Sequence, residues 1–209
     1  ISEEHAGIME LPADAPVGTP LVDYLGDTIL HIELTPNLAH ALSITGIARE
    51  VAALTGQTLR LPAPVEPGTG APAAGQATVE IADPDLCPRY IAAIIRDVRI
   101  GPSPFWMQRR LTLAGMRPIN NVVDITNYVM LDLGRPSHAY DLARLTGAVC
   151  ARQAKDGETV TALNGRDYVL TSDMTVIADE AGVHDIAGIM GGEHSGCSET
   201  TTDVLLEVA

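Results

Sequence analysis

Residues 117–141 read RPINNVVDITNYVMLDLGRPSHAYD, and this stretch decides how the second half of the chain folds. Asn120 or Asn121 can cap a helix, because an asparagine side chain accepts hydrogen bonds from the free N–H groups of a first turn. Apolar residues then recur at helical spacing up to Leu133, and Gly134 is a typical helix end. We therefore predict a helix that ends at Gly134, although its β-branched residues favour a strand.

The same stretch places neutral hydrogen-bonding side chains beside an apolar helix, which suits the orientation of a ligand or a water molecule. The candidates are the asparagine, threonine, tyrosine and histidine side chains of the stretch, among them Asn120, Asn121, Thr126 and His138. Each has a structural alternative. Thr126 can bond back to its own helix, Asn120 and Asn121 can be simple caps, and a lone histidine is more often structural than catalytic. The residues alone leave both interpretations open.

The flanking sequence predicts helices early and strands late. Upstream, we predict a helix up to about Ala114, with Ser103 as its N-cap, Pro104 at its first position and Gly115 as its end. The dipeptide Asn164-Gly165 predicts a hairpin with a type I′ turn. The predicted strands are 78–82, 90–100, 159–163, 168–170, 175–178, 184–189 and 204–208. This order is typical of a mixed α/β (α+β) fold.

A smaller unit precedes this region. Residues 28–34 alternate apolar and polar side chains and predict a strand, and residues 41–54 show helical spacing before Gly56. Residues 62–77 then carry four prolines, three glycines and one charged residue, a composition typical of a linker. The sequence therefore predicts a small strand–helix unit, a linker and a larger mixed α/β module.

Composition excludes several classes of protein. The 209 residues are 46% hydrophobic, which is globular, and only 3% aromatic, which argues against a stacking platform for single-stranded nucleic acid. No apolar run reaches the length of a membrane span, so we expect no membrane association. The chain starts at Ile1 without a signal segment, and we expect it to be part of a longer protein.

Cysteine spacing favours free thiols in a reducing compartment. The three cysteines, Cys87, Cys150 and Cys197, are far apart and form no CxxC pair. His194 and Cys197 are three residues apart, but no further ligand has a matching spacing. We therefore predict no metal site.

The charge is unevenly distributed along the chain. Residues 89–166 hold 11 basic and 6 acidic residues, whereas the whole chain has a net charge of −14. The total argues against a general nucleic-acid binder. The basic segment is compatible either with scattered surface arginines or with a local face that tolerates an RNA end.

Four blocks of the chain resemble the β subunit of bacterial phenylalanyl-tRNA synthetase, in the same order and spacing. The blocks are residues 34–56, 86–111, 117–141 and 186–209. The resemblance implies that residues 1–25 end a tRNA-binding OB-type domain and that residues 26–61 form a small N-terminal helical domain. Residues 62–77 would link these to the B3/B4 editing module at 78–209, and we expect this module to be cut off before its end.

The resemblance also implies an activity. In this family the α subunit makes Phe-tRNA with ATP and Mg²⁺, and the β subunit hydrolyses Tyr-tRNA(Phe) charged in error. An apolar pocket rejects an added hydroxyl by only about 100-fold, so a second site must recognise that hydroxyl and cut the ester. We expect no cofactor in this part of the protein.

Six residues are assigned to the editing pocket by resemblance. Glu207 would accept a hydrogen bond from the tyrosine hydroxyl, and Gly188 and Gly191 would admit the ring or the backbone closely. His138, Thr126 and Asn127 would position a water molecule and the ester carbonyl, with His138 as a general base or a positioning group. Without the resemblance, Glu207 would be assigned to the surface and the glycines to ordinary turns.

The resemblance implies partners as well. We expect the synthetase α subunit in an α2β2 assembly, a cytoplasmic location, and only weak binding of tRNA(Phe) by this acidic chain alone. The alternative is a non-catalytic scaffold with a degenerate pocket, and an unrelated α/β binding domain is set aside. Ser137 and His184-Asp185 stand at positions where the resembling family usually has apolar side chains. We expect neither to touch the six assigned residues, although His184-Asp185 could alter the pocket wall.

Overall fold

The computed structural model describes residues 8–63, 65, 68 and 70–209. Residues 1–7 of the predicted OB-type tail lie outside this range, as do four positions of the predicted linker. The described linker residues form no helix or strand. No helix in the described ranges is long and apolar enough to cross a membrane.

The described residues combine four α-helices with ten strands, so the predicted α+β class is confirmed. The helices are Leu21–Leu25 (α1), Ile44–Thr55 (α2), Phe105–Leu113 (α3) and Asn121–Leu133 (α4). The strands are Thr78–Ile81 (β1), Ile91–Ile95 (β2), His138–Asp141 (β3), Ala148–Gln153 (β4), Thr159–Thr161 (β5), Asp167–Val169 (β6), Thr175–Ala178 (β7), Val183–Ile186 (β8), Met190–Gly191 (β9) and Val204–Val208 (β10).

Two sheets enclose the main core. One has the order β1-β4-β7-β8-β9 and is parallel between β1 and β4, and the other is an antiparallel sheet with the order β2-β10-β3. Tyr140 and Leu205 of the second sheet pack in one cluster with Val149, Ala151 and Ile177 of the first. Strands β5 and β6 form a separate hairpin. The core therefore lies between the two larger sheets, and burial of these apolar side chains holds the sheets together.

The predicted helix in residues 117–141 is confirmed, including its ends. Asn120 is the N-cap of α4 and its side chain accepts hydrogen bonds from the N–H groups of Val122 and Val123. Gly134 ends the helix with a φ of 75°, a left-handed conformation that glycine adopts with little strain because it has no Cβ atom. Capping therefore outweighs the β-branched content of this segment.

The predicted helix at 41–54 is confirmed with a later start. Ser43 caps α2 by accepting from the N–H of Gly46, so the α-helix begins at Ile44, and residues Pro36–Ala41 form a 3₁₀ helix before it. Gly56 ends α2 in the left-handed conformation, as predicted.

The predicted N-cap of α3 is wrong, although the helix itself is confirmed. Pro104 occupies the N-cap position and provides no side-chain hydrogen bond. The Ser103 hydroxyl instead donates to Asp124 Oδ2 over 2.6 Å. The Ser103 side chain, predicted to cap α3, is therefore bonded to a buried acceptor in α4 instead.

The predicted strand at residues 28–34 is wrong. In the described part of the chain this segment pairs with no strand, and Ile29, Leu30 and Ile32 are all at least half exposed. Arg109 of α3 holds the residues just before the segment by donating to the carbonyl oxygens of Leu25 and Gly26. An alternating pattern describes one face of an extended segment, but a strand also needs a hydrogen-bonding partner.

Several strand bounds and one turn also differ from prediction. Strand β2 ends at Ile95, before Asp97 adopts a φ of 57°. Strand β8 ends at Ile186, and the chain turns through Gly188 into β9. The β5–β6 hairpin is confirmed, but its turn is not type I′, because only Gly165 of the predicted pair has a positive φ.

Asp124 should be important for the stability of the α3–α4 pair. It is 1% exposed, its Oδ1 accepts from the Ile119 N–H, and its Oδ2 accepts from Ser103. Asp124→Ala leaves both donors without this partner, so we expect a loss of about 2–3 kcal/mol in the free energy of unfolding. Trp106, which packs edge-on against Tyr128 at 5.5 Å, reports the transition by fluorescence during chemical denaturation.

The matched control for this prediction is Asp132→Ala, on the same helix but only partly buried. It should change the free energy of unfolding by less than about 0.5 kcal/mol. Equal effects of the two substitutions would show that Asp124 has no special role.

Candidate functional site

A cavity of about 230 Å³ opens where the edge of the five-stranded sheet meets the end of β10. Pockets for drug-sized ligands measure about 300–1,000 Å³, so this one suits a smaller group. It is lined by Pro136, Ser137, His138, Ile177, the segment from Asp185 to Gly191, Glu207 and Ala209. Four of the six residues assigned from the sequence therefore meet here: His138, Gly188, Gly191 and Glu207.

The register of β10 brings the two titratable candidates together. Glu207 lies directly opposite His138 of β3, although the two are far apart in sequence. Directly opposed residues of an antiparallel pair project from the same face of the sheet. Glu207 and His138 therefore share the face that packs toward the five-stranded sheet.

Gly191 supplies the space that the imidazole needs. A Cβ atom at this position would overlap Cε1 of His138 and lie 3.0 Å from Nδ1. Gly188 has a different requirement, because its φ is 71° and nothing lies near a Cβ built there. Gly191 is thus required for close approach and Gly188 for a turn.

Thr126 and Asn127 lie outside the residues that line the cavity. Both belong to α4, which packs against β3, and both are partly buried. The Thr126 hydroxyl donates to the carbonyl oxygen of Val123 over 2.8 Å. The alternative in which Thr126 bonds to its own helix is therefore realised, and the positioning roles of both residues stay predictions.

Glu207 is a buried carboxyl group rather than a surface one. The residue is 8% exposed, and its Oε2 has no hydrogen-bond partner among the described residues. Burial is the main cause that raises the pKa of Glu207 to about 7, the Asp185 carboxylate adds to it, and Tyr90 and Arg135 oppose it. Both the neutral and the ionised form of Glu207 are therefore populated near pH 7, and either form can bind a polar partner.

His138 is held as a neutral imidazole. Its ring stacks on Tyr140 with centroids 4.3 Å apart, and its side chain is 21% exposed. Burial lowers the pKa of His138, whereas the nearby Asp185 carboxylate acts in the opposite direction. A neutral histidine at the wall of a cavity can accept a proton.

Asp185 is the residue that sequence reasoning underestimated. Its Oδ2 accepts a hydrogen bond from the Tyr140 hydroxyl and lies 3.8 Å from Nδ1 of His138, and its Oδ1 accepts from the Gly192 N–H over 2.9 Å. The expectation that the unusual residues touch none of the assigned ones is wrong, because Asp185 contacts His138. The signal was an aspartate in a short strand, Val183–Ile186, of which three residues are buried.

No group of three or more histidine, cysteine or acidic side chains within the described ranges could hold a metal ion. Cys87, Cys150 and Cys197 are free thiols. Cys197 lies against the carbonyl oxygen of Ala139, and burial raises the pKa of its thiol to about 11. It is therefore a poor nucleophile at neutral pH.

Comparison with known proteins gives one family match and close relatives. The family model described as the B3/4 domain matches residues 86–209. The phenylalanine–tRNA ligase beta subunit of Novosphingobium aromaticivorans is 55% identical, and that of Mesorhizobium japonicum is 51% identical. Both alignments cover 100% of this chain and 26% of the relative. The resemblance seen in the sequence is therefore confirmed, and the chain spans about a quarter of the length of these relatives.

A solved structure is also similar. It is an N-terminal fragment of the phenylalanyl-tRNA synthetase beta subunit from Pyrococcus horikoshii, with 16% identity and a TM-score of 0.47. The match covers 83% of this chain and 53% of that one.

The raised pKa of Glu207 predicts a pH-dependent stability. Below about pH 4.5 the Glu207 carboxyl is protonated in both the folded and the unfolded chain. As the pH rises from about 4.5 to about 7, the unfolded chain loses this proton while the folded chain keeps it. The free energy of unfolding therefore falls over this range. Above pH 7 the penalty is about 3 kcal/mol. Glu207→Gln removes it, so at pH 8 the variant should be more stable than the parent by up to this amount, with little difference at pH 4.5.

Thermal or chemical denaturation at the two pH values measures this difference. The control is Glu199→Gln, at an exposed position, which should show no change with pH between the two conditions. A Glu207→Gln variant that is no more stable at pH 8 than at pH 4.5, relative to the parent, would contradict the prediction.

Proposed function

The chain belongs to the B3/4 domain family, and we propose that it is the editing module of a phenylalanine–tRNA ligase β subunit. Its reaction is hydrolysis of Tyr-tRNA(Phe), the product of an error in aminoacylation. Water adds to the ester carbonyl, the acyl C–O bond breaks, and tyrosine and the free 3′-terminal ribose hydroxyl of the tRNA are released.

One observation supports this proposal more than any other: a buried carboxyl group without a partner lines a small cavity beside a neutral histidine. Glu207 Oε2 and the Tyr90 hydroxyl are both buried and neither makes a hydrogen bond of good geometry among the described residues, although the two side chains are close enough for Tyr90 to lower the pKa of Glu207. A tyrosine hydroxyl would satisfy such a group, whereas a phenylalanine ring would leave it unpaired. A site of this type discriminates strongly for the hydroxyl.

The pKa of Glu207 changes how this discrimination works. At pH 7 the group is about half protonated rather than a full anion. Bound phenylalanine therefore leaves a buried polar group unpaired when Glu207 is protonated, and a buried charge unpaired when Glu207 is ionised. A neutral carboxyl also donates a hydrogen bond to the phenol oxygen, so both protonation states can recognise tyrosine.

We assign the hydrolytic step to His138. As a neutral imidazole it takes a proton from the attacking water while the water adds to the ester carbonyl. Gly191 leaves room for the ring, and Thr126 and Asn127 on the adjacent α4 are proposed to position the water or the ester from the rim. Orientation of the ester and the water supplies a large part of the rate.

The remaining parts of the proposal concern the complete enzyme. Synthesis of Phe-tRNA, with ATP and Mg²⁺, is ascribed to an α subunit in an α2β2 assembly in the cytoplasm. Eight arginines of the basic segment are exposed: Arg89, Arg96, Arg99, Arg110, Arg117, Arg135, Arg144 and Arg166. They are proposed to tolerate the tRNA end while other parts of the assembly supply most of the affinity.

The editing proposal predicts that substitutions of Glu207 and His138 have different effects on hydrolysis. In the enzyme assembled from complete α and β subunits, Glu207→Ala should reduce the preference for Tyr-tRNA(Phe) over Phe-tRNA(Phe) about 10- to 100-fold, the value of a hydrogen bond to a charged group. His138→Ala should slow hydrolysis of Tyr-tRNA(Phe) about 100-fold or more. Release of labelled amino acid measures both effects.

The controls are Glu199→Ala and His31→Ala, both at exposed positions, and both should hydrolyse at the parent rate. A parent enzyme that aminoacylates normally but leaves Tyr-tRNA(Phe) intact would instead identify the region as a scaffold with a degenerate pocket.

The net charge of −14 predicts weak binding of tRNA by this chain alone. A mobility shift at moderate salt should show no complex at micromolar concentrations of the chain, while the assembled enzyme shifts the same tRNA. Tight binding of tRNA by the isolated chain would contradict this prediction and show that the chain itself supplies much of the affinity for tRNA.

A further inference from the structure

One acidic residue interrupts an apolar row that crosses the five-stranded sheet. The register aligns Ile81, Ala151, Ile177, Asp185 and Gly191 on neighbouring strands. Opposed residues share a face, and Ile177 packs in the core between the sheets. Asp185 therefore faces the three-stranded sheet and lies at the wall of the cavity.

The Asp185 carboxylate is held at both oxygens. Oδ1 accepts from the N–H of Gly192, and Oδ2 accepts from the hydroxyl of Tyr140, which is fully buried. The Asp185 side chain is 6% exposed. A carboxylate with this anchoring cannot turn away from its neighbours, so it serves as a fixed negative group beside the cavity.

The His138 ring is held in a defined plane against this carboxylate. Tyr140 stacks on the ring at an interplanar angle of 27°, and a Cβ atom at Gly191 would overlap the imidazole in this position. Nδ1 of His138 is 3.8 Å from Oδ2 of Asp185. A carboxylate beside one ring nitrogen favours the proton on that nitrogen and leaves the other nitrogen basic.

We propose that Asp185 is a positioning residue for hydrolysis: it keeps the proton of His138 on Nδ1 and leaves Nε2 to accept the proton of the attacking water. The inference rests on the proposed function of the cavity. It adds a residue that acts through His138 rather than on the substrate, as the aspartate of a serine protease triad does.

The charged and titratable groups around His138 determine how its pKa responds to a substitution of Asp185. Asp185 raises the pKa of His138, and burial and His184 lower it. Glu207 faces it from β10 and Tyr140 from its own strand. Removal of the Asp185 charge should therefore lower the pKa of His138 further, and it should also lower the pKa of Glu207, which Asp185 raises.

The first measurement is steady-state hydrolysis of Tyr-tRNA(Phe) by the complete α/β enzyme with Asp185→Asn. We expect kcat to fall at least 10-fold with KM within about 2-fold of the parent, because the substrate is bound but the base is misaligned. The acid limb of the kcat profile should move to lower pH. Asp85→Asn, at an exposed position, is the control and should match the parent.

The second measurement needs no activity. Diethylpyrocarbonate modifies neutral imidazoles, so the rate of His138 modification against pH, read by peptide mass spectrometry, reports its titration. In Asp185→Asn the midpoint should move to lower pH, and in Asp85→Asn it should not. Tyr140→Phe removes one anchor of the carboxylate and keeps the aromatic ring, so it should lower kcat in the same direction even if Asp185→Asn folds poorly.

The outcomes separate this inference from the proposed function. An Asp185→Asn enzyme with unchanged kcat and an unchanged His138 midpoint would overturn the inference while editing stands. A rise in KM alone would assign Asp185 to the α-ammonium group of the aminoacyl ester and also overturn it. A parent enzyme without activity toward Tyr-tRNA(Phe) would overturn the proposed function, whatever the His138 midpoint shows.

Discussion

The hydrogen bond from the Tyr140 hydroxyl to Asp185 ties the two sheets together across an otherwise apolar core. Burial raises the pKa of Tyr140, so its hydroxyl stays a donor, and Asp185 is too buried to exchange this partner for water. A polar contact at this place has only one satisfactory geometry, because a shifted sheet would leave a buried carboxylate unpaired. It therefore sets the position of β3 relative to β8, and with it the position of His138 at the cavity.

The cavity follows from the way in which β10 completes the three-stranded sheet. Its pairing with β2 and β3 is entirely long-range, so Glu207 reaches His138 only when the whole module has folded. Gly191 is then the residue that lets the imidazole enter the space between the sheets. The geometry of the cavity and the packing of the core thus depend on the same strand pairings, which explains why the cavity lies at the edge of the core.

The two ends of α4 were predictable from the sequence, and tertiary partners were not. Asn120, Ser43 and Gly134 act through hydrogen bonds and backbone angles within a few residues, and the helix bounds at Asn120 and Gly134 followed from sequence. The strand at residues 28–34 was mispredicted because alternation carries no information about a partner strand. Four pocket residues were placed by resemblance, but Asp185 was not, since only the register shows that it faces His138.

Two carboxyl groups share this cavity, and their surroundings give them different properties. Asp185 accepts two hydrogen bonds, whereas Oε2 of Glu207 makes none of good geometry among the described residues and burial raises the pKa of the group. Groups whose environments differ in this way are suited to different tasks. The satisfied carboxylate can orient a neighbouring histidine, and the unsatisfied one can recognise a hydroxyl that the substrate brings. In the proposed reaction, Glu207 would account for selectivity and Asp185, through His138, for rate.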